Sequence, residues 1–345
     1  MGLTQARFWE REAGGKARCR LCPHGCQIAP GKTGICRVRE NRDGTLYSLN
    51  YGLLSSIAMD PVEKKPLYHV DPGGYLLSLG SYGCNFSCEF CQNWQISQER
   101  PSLREATPDG VVRMALDQGK QYPGVTGIAY TYNEPAVWLE FVQDCAQLAK
   151  ESGLRNVLVT NGYLSREALL EVLPYVDALN IDVKGWTEEF YRSIIHGRLK
   201  PVLETVELAH EKTWVEVTYL VIPGANDRDD DLSALAKWLR SLSPSIPLHL
   251  SRYFPAYRFE APATPIATLE RLRRVAMRDL SYVYIGNAWK RGFADTLCPE
   301  CKAVLLERGG LELEASHLVR GACPKCGRPL EMVGRVWDRQ SSGIE

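Results

Sequence analysis

The sequence lacks an excess of charge of either sign. Its 345 residues hold 41 Lys plus Arg and 41 Asp plus Glu, so no global field favours a nucleic acid or a membrane surface as a partner. It also lacks an apolar run of about 18 residues, and its first residues, MGLTQARFWEREAGGK, contain no signal-peptide core. These absences argue against a membrane-spanning or exported protein, and we expect a soluble, cytoplasmic one.

Charge is uneven only at the N-terminus. Residues 1–45 contain nine Lys or Arg and four Asp or Glu, a net charge of +5 that the rest of the chain cancels. Such a segment can bind RNA, or its cations can offset the thiolates of a metal site nearby. We favour the second interpretation, and the first stays open.

Cysteine is abundant, and its distribution favours metal binding over disulfides. Eleven of the twelve cysteines fall into three tight clusters, in a chain without an export signal. The exception is Cys145, which shares a predicted helical face with Phe141, Val142, Leu148 and Ala149. It is predicted to be a buried core thiol.

The outer two clusters predict metal-binding segments at both ends of the chain. CPEC and CPKC lie 21 residues apart in the C-terminal segment, a spacing typical of a zinc ribbon with Cys298, Cys301, Cys323 and Cys326 as ligands. The N-terminal cluster suits zinc or a second iron–sulfur cluster, with zinc slightly favoured, and its ligands are Cys19, Cys22, Cys26 and Cys36. We interpret His24 as a loop residue.

Between these segments, short apolar runs alternate with stretches of helical period. This pattern predicts an α/β fold, a partial (open) TIM-like (β/α)6 barrel flanked by the two metal segments, because seven strands are too few for a complete barrel. Thr107, Ser165 and Thr187 are predicted helix N-caps. The predicted domains are residues 1–45, 46–295 and 296–345. The predicted strands lie near residues 75–80, 125–130, 154–160, 176–183, 213–222, 247–253 and 281–286.

Polar residues follow almost every predicted strand. Parallel βα folds collect their reacting groups at the carboxyl ends of the strands. Each residue alone also fits an ordinary turn, as in Asn161-Gly162 and Pro223-Gly224. Six such loops meeting at one rim indicate a site instead. The residues in question include Glu134, Thr160, Asn161, Asp182, Lys184 and Arg252.

The central cysteine motif follows the first of these strands. Cys84, Cys88 and Cys91 place three thiolates on one loop, where Gly83 lets the backbone bend. Three thiolates leave one iron of a 4Fe-4S cluster without a protein ligand, and Cys145 is predicted to lie on a helix. Such an iron can chelate the amino and carboxylate groups of S-adenosylmethionine (SAM). A zinc knuckle and an electron-transfer cluster are the alternatives.

With these motifs the chain resembles the radical SAM superfamily, in particular its activating-enzyme branch, typified by pyruvate formate-lyase activating enzyme. The narrower resemblance is to the radical SAM enzymes of AmmeMemoRadiSam systems. It spans about residues 19 to 290 and rests on the motifs CRLCPHGC, GCNFSCEFCQNWQISQ, TYNEP, LVTNGY, NIDVKG, VIPGAND, LSRYFPAY and YVYIGN.

The resemblance implies roles for the strand-end residues. Cys84, Cys88 and Cys91 would ligate the 4Fe-4S cluster. The others would bind SAM: Phe90 against the adenine, Asn133 and Glu134 at the methionyl amino group in place of the family's GGE motif, Thr160 and Asn161 at the methionyl end, and Asp182 with Lys184 as an Asp-x-Lys pair. The replacement of two glycines by Tyr132-Asn133 leaves open whether side chain or backbone makes the contact. From its strand position alone, Arg252 is added as a residue that faces SAM or substrate.

Three functions are compatible with the sequence. The leading one is an oxidoreductase-like radical SAM enzyme that cleaves SAM to a 5'-deoxyadenosyl radical, receives electrons from a flavodoxin or ferredoxin, and acts with Memo-like and AMMECR-type proteins, as the resemblance implies. A glycyl-radical enzyme activase would copurify with a large protein substrate. A nucleic-acid-modifying or -binding protein would show salt-sensitive RNA or DNA binding.

Overall fold

The N-terminal part of the chain forms two small antiparallel sheets. The computed structural model describes residues 3–338, and in it the strands pair in the orders β1-β6-β5 and β2-β3-β4. Because β6 continues to Ser48, the predicted boundary after residue 45 cuts a hairpin; the three-domain division stays a prediction. The strands are β1 (Thr4–Gln5), β2 (Trp9–Arg11), β3 (Ala17–Cys19), β4 (Gln27–Ile28), β5 (Arg39–Arg42) and β6 (Thr45–Ser48).

A central sheet of eight strands follows. Seven strands run parallel, and β8 joins one edge antiparallel to β9, in the order β16-β15-β14-β13-β12-β11-β9-β8. The two edge strands do not pair with each other, so the sheet is open. The elements of this part are β7 (Leu53–Leu54), β8 (Ser56–Pro61), β9 (Tyr75–Gly80), α1 (Trp94–Ser97), β10 (Arg104–Glu105), α2 (Pro108–Gln121), β11 (Val125–Tyr130), α3 (Leu139–Glu151), β12 (Arg155–Thr160), α4 (Arg166–Val172), β13 (Ala178–Asp182), α5 (Glu188–Phe190), α6 (Leu199–His210), β14 (Trp214–Val221), α7 (Asp229–Leu242), β15 (Leu248–Arg252), α8 (Ile266–Ala276) and β16 (Val283–Gly286).

The predicted parallel α/β arrangement is confirmed. Each of the seven parallel strands coincides with a predicted one, and six helix-containing connections join them. The three predicted caps are also present, since Thr107 accepts a hydrogen bond from the Gly110 amide, Ser165 from that of Ala168, and Thr187 from that of Phe190. Cys145 is fully buried on α3, as predicted.

Residues 62–74, here called the floor segment, lie across the amino ends of the parallel strands. The Glu216 carboxylate, near the start of β14, accepts the backbone N–H groups of Tyr68 (3.0 Å) and His69 (2.8 Å). The same carboxylate lies 2.6 Å from Nε2 of His249, the second residue of β15. Asn180 donates to the Pro66 carbonyl at 2.7 Å. His249 therefore belongs to this buried network rather than to the rim where the cysteine loop lies.

The C-terminal segment packs on the floor segment. Its strands β17 (Thr296–Leu297), β18 (Val304–Gly309) and β19 (Glu312–Ser316) form an antiparallel sheet. Arg308, on β18, is fully buried and donates to the Tyr68 carbonyl at 2.8 Å. His69 lies 2.8 Å from the Glu331 carbonyl through Nδ1. The C-terminal cysteines thus belong to a unit docked at the end of the sheet opposite to the cysteine loop. Across residues 3–338, no helix is both long and apolar enough to cross a membrane.

Candidate active site

A cavity opens at the carboxyl ends of the parallel strands. Its volume is about 440 Å³, within the range of small-molecule sites. The loops after β9, β11, β12 and β13 contribute to it, together with residues within β14 and β15, and the carboxyl ends of the strands are where a parallel sheet places its reacting groups. The lining residues are Lys64, Lys65, Cys84, Phe86, Cys88, Phe90, Cys91, Gln92, Asn93, Ser97, Thr131, Tyr132, Asn133, Glu134, Val159, Thr160, Asn161, Asp182, Lys184, Thr218, Leu220 and Ser251.

All three cysteines of the central motif line this cavity. They lie on the loop after β9, which turns at Gly83 with a φ of 84°; a Cβ there would come within 2.7 Å of Val38 Cγ1. Glycine is required at this position on both counts. Burial raises the pKa of the Cys88 thiol to about 12, so a bound metal is needed to hold these sulfurs as thiolates at neutral pH.

The side-chain amide of Asn133 holds the cysteine loop. Its oxygen accepts the Ser81 N–H at 2.9 Å, and its nitrogen donates to the Gly83 carbonyl at 3.0 Å. Both ends of the amide are therefore occupied within the protein. Asn133 therefore positions the loop that carries the cysteines, and its expected contact with a methionyl amino group, by side chain or backbone, stays a prediction.

Replacing Asn133 by alanine should loosen the iron site without removing a ligand. The loss of two buried hydrogen bonds leaves the Ser81 N–H and the Gly83 carbonyl buried without partners, which costs about 1–3 kcal/mol. Iron release to a chelator should be ~10–100-fold faster than from the unmodified chain, as for other residues that position metal ligands. The matched control is Asn287→Ala, which removes a 3.0 Å bond to the Arg252 carbonyl outside the cavity. Equal release rates for the two variants would contradict this role of Asn133.

Glu134 links two neighbouring strand ends. Its carboxylate accepts hydrogen bonds from the Thr160 hydroxyl (2.7 Å), the Asn161 N–H (2.8 Å) and the Ala136 N–H (2.9 Å). Burial nevertheless raises its pKa to about 7. A cationic group bound in the cavity beside it would favour the ionised carboxylate.

Thr160 and Asn161 are tied to both the carboxylate and the cysteine loop. The Asn161 side chain donates to Asn85 Oδ1 at 2.8 Å and lies 3.7 Å from Cys84 Sγ. An N–H directed at a ligand sulfur stabilises the thiolate form. The TYNEP and LVTNGY motifs therefore form one network around the cysteine motif.

Asp182 and Lys184 form an ion pair at the end of β13. Lys184 Nζ lies 2.8 Å from Asp182 Oδ2, and both side chains line the cavity. Although burial alone would lower it, the pKa of Lys184 is raised by Asp182 and by Cys88. The pair supplies a fixed positive charge beside the cysteine sulfurs and one carboxylate that faces the same space.

Phe90 presents an aromatic surface in the cavity. It is only 3% exposed and packs between Phe190 and Phe259, with both ring centroids 6.3 Å away. These neighbours fix the orientation of the ring.

Arg252 does not reach this cavity. It donates from Nε to the Thr264 carbonyl at 2.8 Å, and its guanidinium lies 4.8 Å from the centre of the Phe254 ring. The preceding residue, Ser251, lines the cavity instead. Successive residues of a strand point to opposite faces, so Ser251 and not Arg252 lines the cavity, and a role of Arg252 toward SAM or substrate stays a prediction.

Twelve of the lining residues have no counterpart among the sequence-based assignments, among them Lys64, Lys65, Thr218 and Ser251. Thr218 shares a strand face with Glu216 and Ser251 shares one with His249, so the period of two could have identified them. The lysines come from the floor segment, and no local pattern indicates that it reaches the cavity. Lys65 Nζ lies 2.7 Å from Asp60 Oδ2 and is 2% exposed as a side chain.

Tyr132 adopts a left-handed backbone conformation within TYNEP, with a φ of 68°. Such a φ is strained for a tyrosine and common for glycine. Its hydroxyl donates to Asp60, and Lys65 Nζ lies 4.5 Å from the ring centre. Gly80 makes room for the ring, since a Cβ there would come within 3.0 Å of Tyr132 Cδ2. These contacts hold Tyr132 in this conformation.

The remaining cysteine clusters lie outside this cavity. In the C-terminal segment the four sulfurs all lie within 4.8 Å of one another, with Cys298–Cys326 and Cys301–Cys323 separations of 3.5 Å. Such a group can hold a metal ion. The N-terminal cysteines line a separate, smaller cavity together with His24, Arg39 and Asn85.

Comparison with known proteins identifies the family. The model of the radical SAM superfamily matches residues 79–238, which include the cysteine loop and the strand ends described above. Residues 79–238 belong to the radical SAM superfamily. Membership implies a 4Fe-4S cluster and SAM as cofactors, and the three thiols with an adjoining cavity fit both.

Relatives within the superfamily include activating enzymes. The chain is 43% identical over 340 residues to the uncharacterized protein MJ0808 of Methanocaldococcus jannaschii, with 96% of this chain and all of that one covered. It is 25% identical over 178 residues to pyruvate formate-lyase 1-activating enzyme of Escherichia coli, with 50% of this chain and 72% of that one covered. It is 26% identical over 168 residues to the putative glycyl-radical enzyme activating enzyme MJ1632 of M. jannaschii, with 47% of this chain and 62% of that one covered.

Solved structures resemble the chain weakly. A domain of pyruvate-formate lyase-activating enzyme from Bacteroides vulgatus aligns with a TM-score of 0.43 at 18% identity, covering 47% of this chain and 99% of that one.

Proposed function

We propose that this chain is an enzyme that cleaves SAM reductively to a 5'-deoxyadenosyl radical, which abstracts hydrogen from an unidentified substrate. The observation that carries the proposal is the set of three cysteines on one loop that line a cavity of small-molecule size. Cys84, Cys88 and Cys91 are the cysteines among the lining residues, so a 4Fe-4S cluster on them keeps one iron open. When bound, the cluster supplies the electron and SAM the radical; the protein supplies geometry and excludes water.

The contacts of Lys184, Glu134 and Phe90 support a role for each of them toward SAM. Lys184 would face the SAM carboxylate, with Asp182 fixing its position at 2.8 Å. The buried carboxylate of Glu134, braced by Thr160 and Asn161, would accept from the ammonium group, whose charge favours the ionised acid. The ring of Phe90 would pack against the adenine.

Substrate would bind toward the floor segment. Lys64 and Lys65 reach the cavity from that segment and are not needed for the SAM contacts above, and Thr218 and Ser251 are further lining residues without a SAM contact. Electrons would come from a flavodoxin or ferredoxin. Cooperation with Memo-like and AMMECR-type proteins, as in AmmeMemoRadiSam systems, remains a prediction.

Activation of a glycyl-radical enzyme is a second candidate. It is supported by the relatives named as activating enzymes, which cover about half of this chain. A protein substrate in place of a small one would copurify with the chain and acquire a radical on its own backbone.

The ion pairs of the N-terminal segment weaken the case for nucleic-acid modification. Five of its nine cations form ion pairs: Arg7 with Asp144 and Glu171, Arg18 with Glu12, Arg20 with Glu10, Arg39 with Glu140, and Arg42 with Glu40. Paired cations contribute little to a field that attracts phosphates.

Zinc is the metal we propose for the C-terminal cysteines. Zinc–sulfur bonds of about 2.3 Å in a tetrahedron place sulfurs ~3.8 Å apart, close to the 3.5 Å separations found there. A closed four-thiolate site at the end of the sheet opposite to the cavity fits a structural role.

The proposed reaction is tested with anaerobically reconstituted protein. After reduction, addition of SAM should change the electron paramagnetic resonance (EPR) spectrum of the cluster, and 5'-deoxyadenosine should accumulate. A spectrum that SAM leaves unchanged, with no deoxyadenosine formed, would contradict both the open iron and the reaction.

A further inference from the structure

The four N-terminal cysteines surround one interior cavity. Cys19, Cys22, Cys26 and Cys36 all line it, although they come from β3, from the turn after it, and from the loop before β5. Cys19 is buried and the other three are partly buried. Four thiols converging from separate segments form a complete ligand set for a metal centre.

The spacing of these sulfurs separates zinc from a larger centre. Among residues 3–338, the C-terminal cysteines are the one group of three or more potential ligands whose atoms all lie within 4.8 Å of one another. The N-terminal cysteines do not form such a group. A zinc ion requires sulfur separations of about 3.8 Å.

The three cysteines of the central motif provide a comparison for the spacing of the N-terminal sulfurs. Cys84, Cys88 and Cys91 also fall outside the 4.8 Å limit, and family membership implies a 4Fe-4S cluster at that motif. In such a cluster, irons and sulfides lie between the thiolates and spread them beyond the separations of a single ion. The N-terminal sulfurs therefore follow the pattern of the iron–sulfur motif and not that of the C-terminal site.

A buried donor without a partner points into the same place. Arg39 lines the cavity and is fully buried. Its Nη2 pairs with Glu140 at 2.7 Å and its Nη1 donates to the Arg7 carbonyl at 3.1 Å, but its Nε has no hydrogen-bond partner in the structure. The sulfides and thiolates of a cluster would accept this N–H, and the guanidinium charge would offset theirs.

The N-terminal cavity adjoins the active site. Along the central cysteine loop, Cys84 and Phe86 line the active-site cavity while Asn85, between them, lines the N-terminal one. His24 Nε2 lies 2.7 Å from the Asn85 carbonyl. The two cysteine loops are also in contact at Gly83, where a Cβ would come within 2.8 Å of the Cys36 carbonyl oxygen.

We propose that Cys19, Cys22, Cys26 and Cys36 bind a second 4Fe-4S cluster, fully ligated by protein and next to the active-site cluster. The inference rests on the proposed function for the identity of the first cluster. A fully ligated cluster has no open iron for SAM, so it would exchange single electrons with its neighbour without bond making or proton transfer.

Metal and sulfide analysis of two forms of the full chain tests the second cluster. The unmodified chain should hold about eight iron atoms and one zinc, while a Cys84→Ala, Cys88→Ala, Cys91→Ala variant should keep about four iron atoms, matching sulfide, and the zinc. Two zinc atoms in both forms, with no iron left in the variant, would overturn the second cluster. Iron content that the triple replacement leaves unchanged would instead contradict the proposed active-site cluster.

The EPR spectra of the same samples test whether the second cluster lies next to the active-site cluster. The reduced variant should show one cluster signal that SAM does not alter, because no iron is open. In the reduced unmodified chain, the two clusters should broaden each other's signals through magnetic interaction. Spectra of the unmodified chain that equal the sum of two isolated clusters would overturn the adjacency.

Discussion

Replacement of Cys88 by serine is expected to reduce 5'-deoxyadenosine formation to the level of a protein-free control. Cys88 is 7% exposed and lies at the centre of the motif, so its removal leaves the cluster with two thiolates. Serine retains the shape but does not ionise at neutral pH, and hydroxyl is a poor ligand for iron beside thiolates. Since loss of a residue that only positions a ligand costs ~10–100-fold, loss of the ligand itself should cost at least about a hundredfold.

A matched control separates this effect from general damage. Cys145→Ala also removes a buried thiol, but from α3 and outside the cavity. It should leave deoxyadenosine formation and iron content unchanged, at a cost of about 1 kcal/mol in stability. Product is measured after anaerobic reconstitution of both variants. Equal yields from the two would refute the assignment of Cys88 as a cluster ligand.

Arg308→Met is expected to lower the free energy of unfolding by about 3–5 kcal/mol, the cost of breaking a buried ion pair on one side. Arg308 lies 3.3 Å from Glu63, and both side chains are fully buried. Its guanidinium also donates to the Ala294 carbonyl (3.0 Å) and the Thr296 hydroxyl (2.8 Å). Methionine fills similar volume but leaves Glu63 without a counter-charge, and burial already raises the pKa of that acid.

Urea unfolding of the metal-loaded chain measures this loss. The control is Arg291→Met, whose side chain is 92% exposed and lies 3.7 Å from Glu314; an exposed pair contributes at most about 1 kcal/mol. Adding Glu63→Gln to Arg308→Met should recover part of the stability, because the stranded charge is gone. A loss no larger than that of the Arg291 variant would show that the buried pair does not hold the C-terminal segment to the floor segment.

Local patterns in the sequence predict the regular elements of this fold well. Strands such as 75–80 and 125–130 match the structure at both ends, and Thr107, Ser165 and Thr187 cap helices as expected. Each of these features depends on residues near one another in the chain, through a period of two or a side chain reaching a nearby backbone amide.

Long-range contacts account for what the sequence does not predict. The Arg308–Glu63 pair joins residues 245 positions apart, and Lys65 reaches the cavity only because the floor segment folds under the strands. Arg252 shows a different limit: its strand is predicted correctly, but the neighbouring residue Ser251 is the one that lines the cavity. Asn133 lies in the expected motif, yet its amide is already bonded to the cysteine loop.

Tyr132, whose backbone is left-handed, connects the loop at the rim of the cavity with residues at its lower end. Its backbone directly precedes Asn133 and Glu134, while its hydroxyl and ring rest on Asp60 and Lys65. A substrate group that drew Lys65 or Asp60 away would weaken the contacts that offset the strain of this conformation. Occupation of the lower part of the cavity and order in the loop above it are therefore thermodynamically coupled, so substrate binding would affect SAM binding through Tyr132 in addition to any direct contact between them.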